Sequence, residues 1–171
     1  MRFVFAIAPE QYRDEELEVP KRAFEEVGID VDIASTAAGT CTGMLGGTAE
    51  AAMAFDCPNP DDYAGIVVVG GSGSKVHLWG DERLIALVRS FFEQGKVVAA
   101  ICLAPVVLAR AGILSGRQAT VYPSPEAIRE MEKAGANLLD IPVVADMQIV
   151  TANGPAAAAQ FAETIITKLE C

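Results

Sequence analysis

The sequence contains little histidine and few cysteines, and this scarcity excludes several kinds of site. Its 171 residues include one histidine, His77, and four cysteines. One imidazole cannot build a zinc site that needs several histidines, so we predict no metal site. The cysteines form no C-x-x-C pair and are too sparse for a disulfide-stapled secreted domain, which favours a reducing compartment.

Basic charge is also scarce. Lys and Arg number 13 against 23 Asp and Glu, which gives a net charge of −10. An acidic chain without a basic cluster repels phosphate backbones and anionic lipid surfaces, so neither nucleic acid nor a membrane is an expected partner. No uncharged run reaches the roughly 18 apolar residues that a membrane helix needs. The short apolar run at 3–9 is interpreted as a buried strand rather than a signal peptide, and we expect a cytoplasmic protein.

Apolar residues, by contrast, are abundant enough to form a core. The chain is 51% hydrophobic and 21% charged. This composition is typical of a folded globular protein, because burial of the apolar surface offsets the conformational entropy lost on folding. The length suits one domain of roughly 100–200 residues, so residues 1–171 are predicted to form a single domain.

Short β-branched runs alternate with amphipathic helical segments along the chain. This alternation is typical of βαβ units around a mostly parallel sheet, so the predicted fold class is α/β. A double glycine at Gly46 and Gly47 between two short extended runs predicts a small antiparallel hairpin that interrupts the sheet. Pro20 predicts a kink in the first helix. The predicted strands are 3–8, 29–34, 66–69 and 97–101, and the predicted helices are 14–27, 81–94, 104–111 and 156–168.

Residues 97–105 carry the strongest chemical signal. An apolar run leads into Cys102, which is followed by small residues and by Pro105, a common first-turn residue of a helix. A nucleophile at such a turn lies at the carboxyl edge of the sheet and faces the positive end of the next helix, which favours the thiolate. From the spacing alone, a buried and inert core cysteine is an equally open interpretation.

Two other segments are candidates to complete a site with Cys102. Gly70 and Gly71 directly follow an apolar run. Backbone N–H groups there can hold an anion or oxyanion, although a tight turn alone also explains the glycines. The acidic stretch 14–18 is ordinarily explained by the helix dipole. A carboxyl from it, buried beside Cys102 and kept protonated, would instead hydrogen-bond a thiolate.

These motifs occur in the order found in the ThiJ/PfpI superfamily, which the sequence resembles over essentially its whole length. The resemblance implies a flavodoxin-like three-layer α/β sandwich with a nucleophile elbow at Cys102. It also implies a cofactor-free protein that forms a homodimer or a larger homo-oligomer. The matching segments are 14–20, 68–71, 99–102, 112–116, 120–123 and 151–155.

The resemblance also assigns roles to individual residues. Cys102 matches the nucleophile, and Glu16, four residues before Pro20, matches the carboxyl that hydrogen-bonds it. The amides of Gly71 and Leu103 match the oxyanion hole, and Gly70 belongs to the same substrate-binding turn. The remaining cysteines, Cys41, Cys57 and Cys171, are interpreted as structural.

One departure from the family pattern bears on the chemistry. PfpI-type members carry a histidine directly after the cysteine, and this chain has Leu103 there, which cannot move a proton. Tyr122 occupies a position where some other members have a histidine, and it is expected to orient a substrate carbonyl. His77 lies near the head of the helix after the glycine turn and is interpreted as a surface or helix-capping residue.

Four functions remain open on these grounds. The first is a cysteine-dependent hydrolase or glyoxalase of the deglycase type, which acts on small reactive carbonyls or their adducts through Cys102 and Glu16. The second is a redox-sensing or protective chaperone protein with an oxidisable Cys102. A PfpI-type intracellular peptidase is disfavoured by Leu103. The fourth is an inactive relative kept as an interaction module.

Overall fold

The computed structural model describes residues 1–170, and a seven-stranded sheet lies at its centre. The strands are β1 (Arg2–Ala6), β2 (Glu10–Tyr12), β3 (Asp30–Ser35), β4 (Gly39–Gly43), β5 (Thr48–Ala51), β6 (Met53–Ala54), β7 (Gly65–Val68), β8 (Val97–Ile101), β9 (Gln118–Ala119), β10 (Asn137–Leu138), β11 (Val143–Asp146) and β12 (Ile149–Ala152). The helices are α1 (Asp14–Glu26), α2 (Gly73–His77), α3 (Glu82–Glu93), α4 (Pro105–Arg110), α5 (Pro125–Lys133) and α6 (Ala158–Leu169), with short 3-10 turns at Pro60–Asp62 and Pro155–Ala157.

The large sheet has the strand order β11-β12-β8-β7-β1-β3-β6. All its pairs are parallel except β11 with β12, which is antiparallel. In β1, Phe3 and Phe5 contact one apolar cluster while Val4 and Ala6 contact the other, because alternate side chains of a strand point to opposite faces. The predicted α/β class and mostly parallel sheet are confirmed.

Helices cover both faces of this sheet. On one face lie α1 and α6, where Phe24 of α1 packs edge-on against Phe3 at 5.0 Å and Phe5 at 5.3 Å between ring centroids. On the other face lie α3, α4 and α5, which bury residues such as Leu84 and Met131. These three layers form the flavodoxin-like sandwich that the sequence implies.

The predicted hairpin exists, but it does not lie within the large sheet. Strands β4 and β5 pair antiparallel, and Gly46 in their turn has a φ of 89°. Together with β2 they form a separate three-stranded sheet, after which β6 returns to pair with β3. Asp14, at the start of α1, accepts hydrogen bonds from the backbone N–H groups of Leu45 at 3.2 Å and Gly47 at 2.9 Å. The hairpin is therefore fixed to the first turn of α1.

Helix α1 continues through Pro20 to Glu26. Pro20 has no N–H to donate to the carbonyl of Glu16, one turn earlier.

Helix α5 was not predicted from the sequence pattern. Its start nevertheless has typical signals: Ser124 is the N-cap, with its Oγ accepting from Ala127 N at 3.2 Å, and Pro125 is the first helical residue. Strands of two residues, such as β9 and β10, are too short to show any periodicity.

No helix within residues 1–170 has both the length and the apolar character needed to cross a bilayer. Cys41, Cys57 and Cys102 are free thiols, of which Cys57 is exposed. Cys171 lies outside the described residues. The two remaining free thiols are buried: Cys41 lies in β4 of the hairpin, and Cys102 directly follows β8.

Candidate active site

The candidate site lies at the carboxyl edge of the large sheet, where three segments meet. Strand β7 ends before the glycine turn at Gly70 and Gly71, and strand β8 ends directly before Cys102. The first turn of α1 contributes Glu16. Open α/β sheets bind ligands at this edge, because loops from adjacent strands converge there.

Cys102 lies at a strained elbow between β8 and the turn that leads to α4. Its φ is 65°, in the left-handed region that a residue with a side chain rarely adopts. Two backbone hydrogen bonds hold it there, from Cys102 N to the Ala152 carbonyl at 2.8 Å and from Tyr122 N to the Cys102 carbonyl at 2.8 Å. The expected elbow is therefore present, and segments from β12 and from the chain after β9 support it.

Gly70 lies between Cys102 and Glu16 and leaves them room to approach each other. A Cβ at Gly70 would lie 2.6 Å from Cys102 Cβ, 2.6 Å from Glu16 Oε1 and 2.5 Å from the carbonyl of Ile101. Contacts this short do not occur in folded proteins, so only glycine fits. The structure thus brings Glu16, Gly70 and Cys102 together, as the resemblance implies.

The carboxyl of Glu16 is fully buried and is protonated at neutral pH. Burial raises its pKa to about 8, against the opposing effects of the Cys102 thiol, the Arg13 guanidinium and the Gly70 backbone. The thiol and the Gly70 backbone lie close, but neither carboxyl oxygen has a partner at full hydrogen-bond geometry. Burial therefore favours the protonated form of Glu16, and its two oxygens face the interior of the site.

The thiol of Cys102 is also harder to ionise than usual. Burial and then the charge of Glu16 raise its pKa to about 12, while the backbones of Gly71 and Leu103 lower it. The sequence favoured a thiolate at Cys102, and this rise in pKa is in the opposite direction. The reasons are that Cys102 is only 7% exposed and that α4, the helix whose positive end was expected to stabilise the thiolate, has only six residues. The two groups titrate as a coupled pair, so the charge of Glu16 opposes the thiolate only above about pH 8.

Gly71 and Leu103 provide the backbone groups expected of an oxyanion hole. Both interact with the Cys102 sulfur and favour its negative charge. Gly71 has a φ of 116°, and a Cβ there would lie 2.5 Å from Gln11 O and 2.5 Å from Arg13 N. A side chain at position 71 would therefore displace the segment that leads into α1 and carries Glu16.

Sequence reasoning missed Arg13. Its backbone N–H donates to the Gly70 carbonyl at 2.9 Å, which ties the start of α1 to the glycine turn. Its guanidinium pairs with Glu15, with Nε to Oε2 at 2.6 Å, and its positive charge lowers the pKa of Glu16. The only sign of this role in the sequence is that Arg13 directly precedes the acidic stretch 14–18. An ordinary surface ion pair explains a basic residue there equally well.

Trp79 also contacts the site, although no local sequence pattern around this single tryptophan indicates it. The side chain is buried, at 3% exposure, and its indole Nε1 donates to the Leu103 carbonyl at 2.9 Å. Trp79 therefore supports the residue that follows Cys102.

Tyr122 and His77 lie at the surface of this region. Tyr122 is 46% exposed, and its ring lies 3.9 Å from the position that a Cβ at Gly154 would take. His77 is the last residue of α2 rather than its first, and its Nε2 lies 3.3 Å from Glu10 Oε1. Across residues 1–170, His, Cys, Asp and Glu side chains form no group of three or more that could hold a metal ion.

Comparison with known proteins relates this arrangement to one family. The sequence pattern of the DJ-1/PfpI family matches residues 1–168. An uncharacterised protein of Methanocaldococcus jannaschii is 50% identical over 99% of this chain and 82% of its own length. A protein named as a deglycase from Pyrococcus horikoshii is 36% identical over 91% of this chain and 92% of its own length. General stress protein 18 of Bacillus subtilis is 33% identical over 84% of each chain.

Solved structures show the same fold. A ThiJ/PfpI domain protein from Brachyspira murdochii superposes with a TM-score of 0.95 at 31% identity, over 99% of this chain and 96% of that one. DJ-1 from Schizosaccharomyces pombe superposes with a TM-score of 0.86 at 21% identity, over 99% of this chain and 92% of that one, and this likeness concerns the fold alone.

Replacing Gly70 by alanine is expected to separate Glu16 from Cys102. The added methyl group would collide with both residues and with backbone at Ile101. We expect Gly70→Ala to destabilise the fold by about 1–3 kcal/mol and to change the rate at which iodoacetamide alkylates Cys102, measured by peptide mass spectrometry. Gly95→Ala is the control, because no atom lies within 4 Å of its added Cβ, while its φ of 73° means that alanine there also costs stability. Equal alkylation rates in Gly70→Ala and wild type would contradict the proposed packing.

Replacing Glu16 by glutamine is expected to change how stability depends on pH. Burial raises the pKa of Glu16 from 4.5 to about 8, so the folded state binds this proton more tightly than the unfolded state. The resulting stabilisation is complete below about pH 4.5 and is lost as pH rises to about 8, by up to about 1.4 kcal/mol per pH unit.

Glu16→Gln has no such proton. Its free energy of unfolding, measured in urea at pH 5 and pH 8, is expected to fall less than that of wild type over this interval. Glu18→Gln, at an exposed position of the same helix, is expected to follow wild type. Parallel pH dependences for Glu16→Gln and wild type would show that the Glu16 carboxyl is not held protonated by the fold.

Proposed function

Because the chain belongs to the DJ-1/PfpI family, we propose that it is a cysteine-dependent, cofactor-free enzyme that acts on small reactive carbonyl compounds or their adducts. Relatives at about 35% identity carry the name deglycase, which supports a hydrolase-type activity. The arrangement of the site supports the proposed substrate class and the proposed roles of individual residues.

One observation carries this proposal: a cysteine at a strained elbow lies beside a buried, protonated carboxyl. Cys102 supplies a nucleophile at the open edge of the sheet, and the backbones of Gly71 and Leu103 favour negative charge next to it. Glu16 has a pKa of about 8, close to the pH at which it would work. A group with a pKa near the working pH both donates and accepts protons efficiently.

The first chemical step is addition of sulfur to an aldehyde. The Cys102 sulfur forms a bond to the aldehyde carbon, and the C=O double bond becomes a single bond. Glu16 gives its proton to the carbonyl oxygen and takes the thiol proton in exchange, so that a neutral hemithioacetal forms and no free thiolate is needed. The N–H groups of Gly71 and Leu103 stabilise the negative charge that develops on oxygen during this step.

The second step is an internal transfer of hydrogen. With methylglyoxal as substrate, the protonated Glu16 gives its proton to the ketone oxygen as it takes the proton from the former aldehyde carbon, which forms an enediol. Glu16 then gives that proton to the former ketone carbon and takes the hydroxyl proton from the former aldehyde carbon. The aldehyde carbon is oxidised to a thioester while the ketone is reduced to an alcohol, so no external oxidant is required. Water then cleaves the carbon–sulfur bond, which releases lactate and restores the Cys102 thiol.

A peptidase mechanism of the cysteine–histidine type has little support from this site. Leu103 occupies the position next to Cys102, and the one imidazole of the sequence, on His77, pairs with Glu10. Without an imidazole, expelling an amine leaving group would also depend on Glu16. Addition to a free aldehyde makes no such demand, since that step has no leaving group.

The unpartnered oxygens of Glu16 also favour a second candidate, a redox-sensing or protective protein. Oxidation of Cys102 to a sulfinic acid would add two oxygens beside Glu16 Oε1 and Oε2, which have no partners at hydrogen-bond geometry. A protonated carboxyl there would donate a hydrogen bond to the sulfinate and stabilise the oxidised state.

Replacing Cys102 by alanine tests the proposed enzyme. We expect wild type to produce lactate from methylglyoxal and Cys102→Ala to produce none above the buffer rate, because the variant cannot form the hemithioacetal. Lactate is measured enzymatically after quenching. Cys57→Ala is the control, since this exposed cysteine lies outside the site. Lactate production by Cys102→Ala at the wild-type rate would exclude the mechanism.

Mild peroxide treatment tests the redox candidate. We expect intact-mass spectra of wild type to show a species heavier by two oxygens, about 32 Da, which is absent from Cys102→Ala. In Glu16→Leu this species should pass more readily to the sulfonic acid, because leucine has no hydrogen to donate to the sulfinate. Oxidation spread evenly over all cysteines would count against a sensing role.

A further inference from the structure

Resting on the function proposed above, we propose that Trp79 is a positioning residue of the Cys102 elbow, which it holds through the Leu103 carbonyl. Arg110 and Glu130 hold Trp79 in turn. Trp79 touches neither the sulfur nor a substrate in this role. It determines where the Leu103 N–H points, and so how well charge next to Cys102 is stabilised.

The indole of Trp79 makes a specific polar contact as well as filling the core. Trp79 is only 3% exposed, and an indole N–H has only one hydrogen to donate. That hydrogen goes to the Leu103 carbonyl at 2.9 Å, while the backbone N–H of Trp79 donates to the Ser74 carbonyl at 2.9 Å. The side chain and backbone of Trp79 are therefore both fixed.

Leu103 is the residue through which this contact acts. Its N–H belongs to the peptide shared with Cys102 and interacts with the sulfur, whereas its carbonyl belongs to the next peptide and accepts from Trp79. The two peptide planes share the Leu103 Cα, so fixing one restricts the rotation of the other. Ala104 N donates to the Ile101 carbonyl at 3.1 Å, which closes the same turn.

Arg110 connects Trp79 to the end of α4. It is the last residue of α4, the helix that begins just after the elbow. Its guanidinium lies over the Trp79 ring, 5.7 Å from the centroid, and donates from Nη1 to the Trp79 carbonyl at 3.0 Å. Nη2 donates to Glu130 Oε1 at 2.9 Å. The start of α4 is joined to the elbow by the chain, and its end is joined to the elbow through Trp79.

Trp79→Phe tests this role, because phenylalanine keeps an aromatic ring for packing but has no N–H to donate. We expect kcat for methylglyoxal to fall about tenfold with little change in KM, as for a misplaced stabilising donor. Alkylation of Cys102 by iodoacetamide should also shift to higher pH, since the Leu103 backbone lowers the pKa of this thiol. Glu16 and Arg13, the charged groups that act on Cys102, are unchanged in the variant.

Arg110→Gln provides a second test if Trp79→Phe does not fold, and Arg117→Gln is its matched control. Arg117 also lies over an aromatic ring, Phe92, at 5.3 Å, and also faces a carboxylate, Asp146, at 3.8 Å. We expect Arg110→Gln to shift the alkylation profile in the same direction as Trp79→Phe, by a smaller amount, and Arg117→Gln to match wild type.

Two outcomes would overturn the role of Trp79. One is an unchanged alkylation profile in folded Trp79→Phe. The other is an equal effect of Arg110→Gln and Arg117→Gln, which would indicate a general loss of stability. If wild type produces no lactate from methylglyoxal, the proposed function fails, but the alkylation profiles still decide whether Trp79 positions the elbow.

Discussion

The burial of the Glu16 carboxyl against Cys102 is the constraint on which the rest of the site depends. A carboxyl removed from water keeps its proton, which here raises its pKa to about 8. That protonated state requires the absence of a side chain at Gly70, since a single Cβ would lie 2.6 Å from Glu16 Oε1. It also requires a fixed first turn of α1, which Asp14 secures by binding the β4–β5 hairpin. Gly70 and the β4–β5 hairpin, which lie far from Glu16 in sequence, therefore both help to keep its carboxyl buried and protonated.

The same constraint explains why two unfavourable features persist together. Cys102 has a strained φ of 65°, and Glu16 has buried oxygens without partners. Each costs stability of the order of 1–3 kcal/mol. The apolar layers on both faces of the sheet offset these costs, because β7 and β8 are buried on both sides. A site that is unfavourable on its own therefore rests on two strands that are buried in the core.

The fold class and the elbow at Cys102 have local signals in the sequence, whereas the role of Glu16 came only from the resemblance to a family. The alternation of β-branched runs and amphipathic helices indicated β1, β3, β7 and β8, and a cysteine followed by small residues and Pro105 indicated the elbow. The roles of Trp79 and Arg13 had no such signal. Trp79 contacts Leu103 across 24 residues of sequence, and Arg13 contacts Gly70 through backbone atoms that no residue type reveals.

The rise in the pKa of Cys102 is another property that the sequence did not predict. A cysteine before a helix suggested a stabilised thiolate, but the depth of burial, which no local pattern encodes, raises the pKa instead. A neutral thiol needs a partner that accepts its proton as sulfur attacks. This chain has no imidazole next to Cys102, since Leu103 stands there and His77 pairs with Glu10. Glu16 is the neighbouring group with a pKa near neutrality, and it has that pKa only because it is buried. Because no imidazole lies next to Cys102, the proposed proton transfer depends on the buried carboxyl of Glu16.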